Sequence, residues 1–171
     1  KNLEIFEEIK FPHSLGLLYS VFTAFLGFEV NDGEYKVMGM APYGKPKYLE
    51  KVRKLVKKYS DGSYALRMKY FTFHKSVAQA YGRKFIDLFG KPREKDLHFF
   101  TKTSGYPSYF GKKPENFEEL SDLNQYYADI AASIQAFTEE VILNIARTVH
   151  KKTKQENLCI AGGVGLNSVA Y

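Results

Sequence analysis

The sequence has one cysteine, no tryptophan and no apolar run that could cross a membrane. A single cysteine, Cys159, rules out a disulfide within the chain, and its place in a short apolar run predicts a buried thiol in a reducing compartment. The longest apolar stretch, residues 15–28, is too short and too interrupted for a membrane span, and the first residues lack a signal-peptide pattern. These absences favour a cytoplasmic protein that makes no use of a membrane.

The composition predicts a folded domain with a sizeable core, because 44% of the 171 residues are hydrophobic. The formal charge of +6 favours anionic ligands without requiring a nucleic acid. The sequence starts at Lys1 and stops at Tyr171, where a helix is expected to begin after a glycine turn. We therefore expect residues 1–171 to be a single partial domain, a fragment of a longer protein.

Residues 157–168 (NLCIAGGVGLNS) indicate a buried strand, then a glycine turn, then a helix. The apolar run 158–161 predicts the strand, and Gly162, Gly163 and Gly165 have no Cβ to keep a ligand from the backbone. Backbone N–H groups near Leu166 and Asn167 would then point at an anion such as a phosphate. The alternative is a tight structural turn without a ligand.

Further upstream, Ser14 is a candidate N-cap for a buried helix over residues 15–28. Small residues recur along this helix at helical spacing and predict a smooth face for close packing: Gly16, Ser20, Ala24 and Gly27. The next segment, residues 31–44, is dense in turn-forming residues and predicts a shaped loop near a site.

Residues 47–59 have the pattern of an amphipathic helix, with four lysines largely on one face: Lys51, Lys54, Lys57 and Lys58. We favour a solvated face over an RNA-binding one. A strand is predicted at residues 64–74, a helix at 77–89 and a long surface connection at 90–119.

Apolar residues then recur at steps of three and four from Leu123 to Val149, which predicts a helix of about 30 residues and roughly 45 Å. Asp122 is the candidate cap, with Gln125 placed to reach back to it. The broad apolar face favours a core helix over a coiled-coil arm.

A long helix followed by a short strand, a glycine turn and another helix is the nucleotide-site arrangement of the actin-like ATPase and sugar-kinase superfold. Four segments closely resemble successive motifs of the carbamoyltransferase family, which includes the O-carbamoyltransferases of nodulation factors and of antibiotic tailoring. In chain order they are FPHSLGLLYS (11–20), GEYKVMGMAPYG (33–44), DIAASIQ (129–135) and LCIAGGVGLN (158–167).

The resemblance implies transfer of a carbamoyl group from carbamoyl phosphate, through a carbamoyl-adenylate made with ATP, to a hydroxyl of a sugar or natural product. It implies an α/β fold: a partial actin-like ATPase and sugar-kinase (ribonuclease H-like) domain with a central sheet and packing helices. The partner domain implied for the parent protein is a C-terminal adenylate-forming domain. Sheet edges exposed in the fragment could cause self-association.

The resemblance also implies functional residues. Gly162, Gly163, Val164 and Asn167 match the nucleotide-binding turn of the family. The family holds a divalent metal with a His-x-x-x-His pair and a later Asp; this sequence has neither, so the metal ligands are expected outside the chain, and the fragment alone is expected to be inactive.

The catalytic base stays open. His13, Glu34 and Lys36 are candidates because they lie in matching motifs, and structural roles are equally open for them. Two alternative functions also stay open: an actin-like small-molecule kinase or ATPase, and an RNA-binding module related to the tRNA threonylcarbamoyl-transfer proteins.

Overall fold

A computed structural model describes residues 4–76, 79–95 and 97–170. The regular elements in these ranges are α1 (Leu15–Phe25), α2 (Glu34–Met40), α3 (Leu49–Arg53), β1 (Val56–Lys58), β2 (Tyr64–Leu66), α4 (Arg83–Phe89) and α5 (Phe117–Thr153). Short 3-10 turns lie at Ala41–Tyr43, Met68–Tyr70, Ser108–Phe110 and Gly163–Leu166.

Helix α5 is the centre of the fold. Its 37 residues correspond to about 55 Å, and every residue from Tyr127 to Gln135 is buried. A helix buried on all sides needs neighbours all round it, and α1, α2, α3 and the turn at Ala41–Tyr43 pack against α5. The predicted long helix is confirmed.

The predicted start of this helix is wrong. Helix α5 begins at Phe117, with Asn116 at the cap position and no side-chain cap bond. Asp122 lies inside the helix and pairs with Lys102 at 2.7 Å, while Gln125 donates to the carbonyl of Tyr43 at 2.8 Å. The apolar period begins at Leu123 and so does not mark the first turn and a half, whose helical residues are mostly polar.

The cap of α1 is confirmed, since the hydroxyl of Ser14 accepts a hydrogen bond from Leu17 N at 3.2 Å. The helix ends at Phe25, three residues before the predicted end. Gly27 adopts φ +79°, and Phe28 N donates to Thr23 O, which closes the helix end as glycine commonly does. A Cβ on Gly27 would lie 2.7 Å from Glu94 O.

The prediction of a helix over residues 47–59 is also wrong beyond Arg53, where α3 ends. Residues Val56–Lys58 instead form β1, antiparallel to β2, with Val56 opposite Leu66. Both side chains are buried, so this pairing satisfies the backbone and buries apolar surface at the same time. The predicted strand 64–74 is confirmed only at Tyr64–Leu66, because the chain turns at Met68–Tyr70.

An aromatic cluster joins α1 to α4. The rings of Phe22 and Phe25 meet Phe85 and Phe89 at centroid distances of 5.2 to 6.2 Å, mostly edge to face. Helix α4 begins only at Arg83; Val77, the predicted start, lies outside the described residues. The connection after α4 has little regular structure, as predicted, although Phe100 and Thr101 within it are buried.

The described ranges contain the two-stranded sheet of β1 and β2 and an isolated bridge between Phe71 and Tyr81, and the actin-like fold stays a prediction. The chain is therefore a mixed helix and sheet structure organised around α5.

Candidate functional site

The glycine segment has a different conformation from the predicted one. Residues 158–161 form no strand, and the side chains of Leu158 and Ile160 are 53% and 46% exposed. No strand in the described part of the chain lies alongside to pair with this backbone. The predicted burial of Cys159 is therefore wrong, and its thiol is exposed.

The predicted helix after the glycines is a single 3-10 turn, Gly163–Leu166. Gly162 precedes it with φ +97°, a backbone conformation that residues with a side chain rarely adopt. A Cβ placed on Gly162 or Gly163 would meet nothing within 4 Å, so this backbone is open to approach from outside. Gly165 is the tighter position, because its Cβ would lie 3.2 Å from Ile160 Cγ2.

One buried side chain holds this open turn to the core. Asn167 is 3% exposed and is the only buried residue between positions 154 and 170. Its Nδ2 donates to Gln135 Oε1 at 3.1 Å, and Gln135 Nε2 donates back to its Oδ1 at 3.1 Å. Two amides thus form a closed pair between α5 and the glycine turn.

Tyr19 of α1 and Glu139 of α5 extend the hydrogen bonding of this amide pair. Its hydroxyl donates to Gln135 Oε1 at 2.9 Å, and Gln135 Nε2 also donates to Glu139 Oε1 at 3.1 Å. The Gln135 amide therefore uses both donors and accepts two hydrogen bonds, which is its full capacity. Burial raises the pKa of Tyr19, opposed by its hydrogen bond with Asn167, so the hydroxyl stays protonated.

The residue next to Tyr19 connects the same helix to α2. Ser20 Oγ donates to Glu34 Oε1 at 2.9 Å, and the backbone N–H of Asn31 donates to the same oxygen at 3.1 Å. Tyr19 and Ser20 therefore join the glycine turn and the Glu34 segment through one turn of α1.

A second polar network lies nearer the start of α5. Asp129 is 2% exposed and accepts from Lys45 N at 2.8 Å and from Lys47 Nζ at 2.6 Å. This contact with Asp129 raises the pKa of Lys47. One turn later, Ser133 Oγ accepts from Tyr48 N at 2.9 Å. The segment from 43 to 48 is thus fixed to α5.

The three candidate catalytic residues have separate partners. His13 Nδ1 accepts from Leu66 N at 3.1 Å, so the neutral ring carries its proton on Nε2 and can donate there. Glu34 Oε1 is occupied as described above. Lys36 is exposed, with its amine 6.0 Å from the Phe28 ring centre and 5.8 Å from that of Tyr35. Of the three, Glu34 is the only carboxylate; it is half-buried and is hydrogen-bonded to Ser20 of α1.

A cleft of about 450 Å³ lies beside the glycine turn. His13 and Gly16 line one side, and Ile145, Val149 and Leu158 line another. The lining is mostly hydrocarbon, with polar groups at His13 and Ser14, and it includes Val164 and Gly165 of the glycine turn.

The basic face that an RNA-binding function would use is not formed. Lys51 Nζ donates to Leu88 O at 2.7 Å, and Lys58 Nζ pairs with Glu140 Oε2 at 3.1 Å. Both lysines are bound within the protein, and Lys57 and Lys58 lie on a strand rather than on a helix with Lys51 and Lys54.

Among residues 4–76, 79–95 and 97–170, no three His, Cys, Asp or Glu side chains come together as metal ligands. The described residues therefore do not fit the divalent metal implied by the resemblance. Of the helices that the structure describes, none combines the length and the apolar character needed to cross a membrane.

Sequence reasoning missed Tyr19, Gln135 and Glu139 as members of the site. The available signal was that Tyr19 and Gln135 lie inside two of the four motif segments. Their contact joins positions 116 residues apart, which a periodic pattern cannot indicate.

Comparison with known proteins gives a consistent result. The profile of a family described as "Carbamoyltransferase N-terminus" matches residues 1–171. An uncharacterized protein of Synechocystis is 46% identical over 95% of this chain and 23% of its own length. The nodulation protein NolO of Bradyrhizobium diazoefficiens is 28% identical over 93% of this chain and 23% of its own length.

The nodulation protein NolNO of Sinorhizobium fredii is 27% identical over 92% of this chain and 18% of its own length. The chain thus spans less than a quarter of the curated relatives that it matches.

Proposed function

Because the chain belongs to the carbamoyltransferase family and matches its N-terminal part, we propose that it is part of an O-carbamoyltransferase. The proposed reaction moves a carbamoyl group from carbamoyl phosphate to a hydroxyl of a sugar or related natural product. Relatives named nodulation proteins agree with the branch of the family that the motifs resemble.

In the proposed reaction, ATP is a substrate that activates the carbamoyl group as an adenylate. Carbamoyl phosphate releases phosphate by hydrolysis, and a carbamate oxygen bonds to the α-phosphorus of ATP and expels pyrophosphate. The acceptor hydroxyl then attacks the carbamoyl carbon, loses its proton and releases AMP. Of this chemistry, the present chain would supply the nucleotide contacts.

The observation that carries the proposal is the convergence of all four motif segments on one network. Tyr19 and Ser20 come from the first, Glu34 from the second, Gln135 from the third and Asn167 from the fourth. The fourth segment presents the open backbone of Gly162 and Gly163 directly ahead of Asn167.

The proposed nucleotide-binding turn comprises Gly162, Gly163, Val164 and Asn167, of which the two leading glycines offer open backbone. Backbone N–H groups in such a turn stabilise phosphate oxygens without a side chain in the way. The proposed role of Glu34 is to hold Ser20 and the backbone of Asn31 through Oε1, and it stays a candidate for the base. His13 can contribute a donor through Nε2, and Lys36 a positive charge at the surface.

No step is assigned to a metal, because the described residues offer no ligand set. The proposed partners are the small-molecule substrates and an adenylate-forming domain of the complete protein.

The test uses the complete gene product with carbamoyl phosphate, ATP and a panel of hydroxyl acceptors. We expect pyrophosphate and AMP that appear only with carbamoyl phosphate, and an acceptor whose mass increases by one carbamoyl group. ADP and a phosphorylated acceptor would instead support the small-molecule kinase. Product formation independent of carbamoyl phosphate would contradict the proposal.

A further inference from the structure

Asn167 is the buried anchor of the glycine turn. Of residues 154–170, only Asn167 is buried, while Gly162, Gly163 and Leu166 are exposed, Leu166 by 79%. The second contact is apolar: Val164 Cγ2 lies 3.4 Å from the position a Cβ on Gly16 would take. Asn167 and Val164 are thus two of the contacts that hold the turn against the rest of the protein.

The amide cannot itself turn outward to a ligand without breaking the core. Asn167 Oδ1 accepts from Gln135 and its Nδ2 donates to Gln135, each at 3.1 Å. Releasing Asn167 would leave the buried amide of Gln135 without two of its hydrogen bonds, which is costly in a site shielded from water.

From this geometry we infer that Gln135 is a positioning residue for nucleotide binding and that Asn167 acts from behind the glycine turn rather than by touching the nucleotide. The pair sets the orientation of the Gly162 and Gly163 amides, and the carboxylate of Glu139, which can only accept, fixes which way round the Gln135 amide stands. The inference rests on the proposed function and adds to it a residue on α5 that contacts no substrate.

The decisive variant is Gln135→Met in the complete gene product, because methionine keeps the volume of glutamine and removes all of its hydrogen bonds. We expect the dissociation constant of a nonhydrolysable ATP analogue, measured by calorimetry, to rise about tenfold or more, as two lost hydrogen bonds imply. In the carbamoyl-transfer assay the KM for ATP should rise while kcat changes little.

Two further measurements distinguish a positioning role of Gln135 from a merely structural one. Ser133→Ala on the same helix removes a buried hydrogen bond to Tyr48 rather than to the glycine turn. It should lower thermal stability and leave the dissociation constant of the analogue unchanged. Hydrogen exchange of the Asn167 N–H, which donates to Val164 O, should speed up without nucleotide in Gln135→Met and match the wild type in Ser133→Ala.

The conservative rescue exchanges the two amides. Gln135→Asn alone shortens one partner, and adding Asn167→Gln restores the combined length, so the double variant should recover much of the lost affinity. Where Gln135→Met does not fold, Asn167→Ala provides the same measurement from the surface side of the pair.

The outcomes are distinct. Wild-type binding together with unchanged affinity and exchange in Gln135→Met and Asn167→Ala would overturn the inference alone. Failure of the wild-type protein to bind the analogue would overturn the proposed function, and this inference with it.

Discussion

Gly44 lies directly against the backbone of Ala128 in the middle of α5. A Cβ on Gly44 would be 2.0 Å from Ala128 O and 2.6 Å from Asp129 N. This contact brings Lys45 N within 2.8 Å of Asp129 Oδ1. The glycine is therefore required by close approach to a helix rather than by its own backbone angle.

The first prediction is that Gly44→Ala destabilises the protein by about 3 kcal/mol, because the helix or the loop must move to admit the methyl group. Urea unfolding followed by circular dichroism measures the change.

The matched control for this prediction is Gly39→Ala. Gly39 lies within α2, and a Cβ there would meet nothing within 4 Å. This variant should gain about 0.5 kcal/mol, since alanine is the better helix former. Equal effects of the two substitutions would contradict the close contact.

The second prediction concerns Cys159, whose thiol is exposed in the glycine segment. A thiol reagent should label the folded protein to about one equivalent per chain, at a rate typical of accessible thiols. Mass spectrometry of the labelled peptide identifies the site. Labelling that requires denaturant would instead place Cys159 in the buried strand that the sequence indicates.

The third prediction is a loss of stability at high pH. Burial raises the pKa of Tyr126 from 10.0 to about 12, helped by the neighbouring Tyr48 and Tyr127 hydroxyls. Below pH 10 the residue is neutral in both states. Between about 10 and 12 the unfolded chain loses the proton first, so the free energy of unfolding falls as pH rises.

Thermal melting from pH 8 upward tests this in the wild type and in Tyr126→Phe, which should show the shallower decline. Tyr109→Phe is the control, because the Tyr109 side chain is 82% exposed and is solvated in both states. If melting temperature declines equally with pH in Tyr126→Phe and in the wild type, Tyr126 is not the cause of the loss of stability.

The fourth prediction concerns acid. Burial raises the pKa of Glu140, but hydrogen bonds from Arg53 and Lys58 outweigh it and hold the value below 4.5. The stability that this lowered pKa contributes is present above the ordinary carboxyl pKa and is lost as pH falls through the folded value. Glu140→Gln should lower the free energy of unfolding by about 1 kcal/mol at neutral pH. It should also make that free energy fall less steeply as the pH is lowered.

Urea unfolding at pH 7, 5 and 4 measures the effect, with Glu115→Gln as the control on an exposed side chain outside the helices. A steeper acid limb in Glu140→Gln would contradict the sign of the shift.

The sequence predicted elements that are specified locally. The Ser14 cap and α5 follow from a capping hydroxyl and from an apolar period, both visible within a few turns. The predictions that failed concern pairing between distant segments. From their sequence pattern, residues 56–58 resemble the end of a basic helix, but in the structure Val56 pairs with Leu66. Residues 158–161 resemble a strand, which needs a neighbouring strand to exist.

The candidate site divides in the same way. Four motif segments could be recognised from their residues, and their meeting point could not, because the Gln135 to Asn167 pair joins α5 to a segment 32 residues later. Amides carry no periodic signal, and only the geometry shows that they meet.

The burial of α5 on all sides has a consequence for how homologous sequences can vary in length. Asp129 holds the loop at Lys45, and Gln135 holds the glycine turn; six residues of helix separate them by about 9 Å and more than one and a half turns. One residue inserted between them would rotate one anchor by about 100° away from its partner. Insertions and deletions should therefore collect in the irregular connection before Phe117 and be excluded between Asp129 and Gln135, so that an alignment of homologues without gaps there would reflect the pitch of a helix.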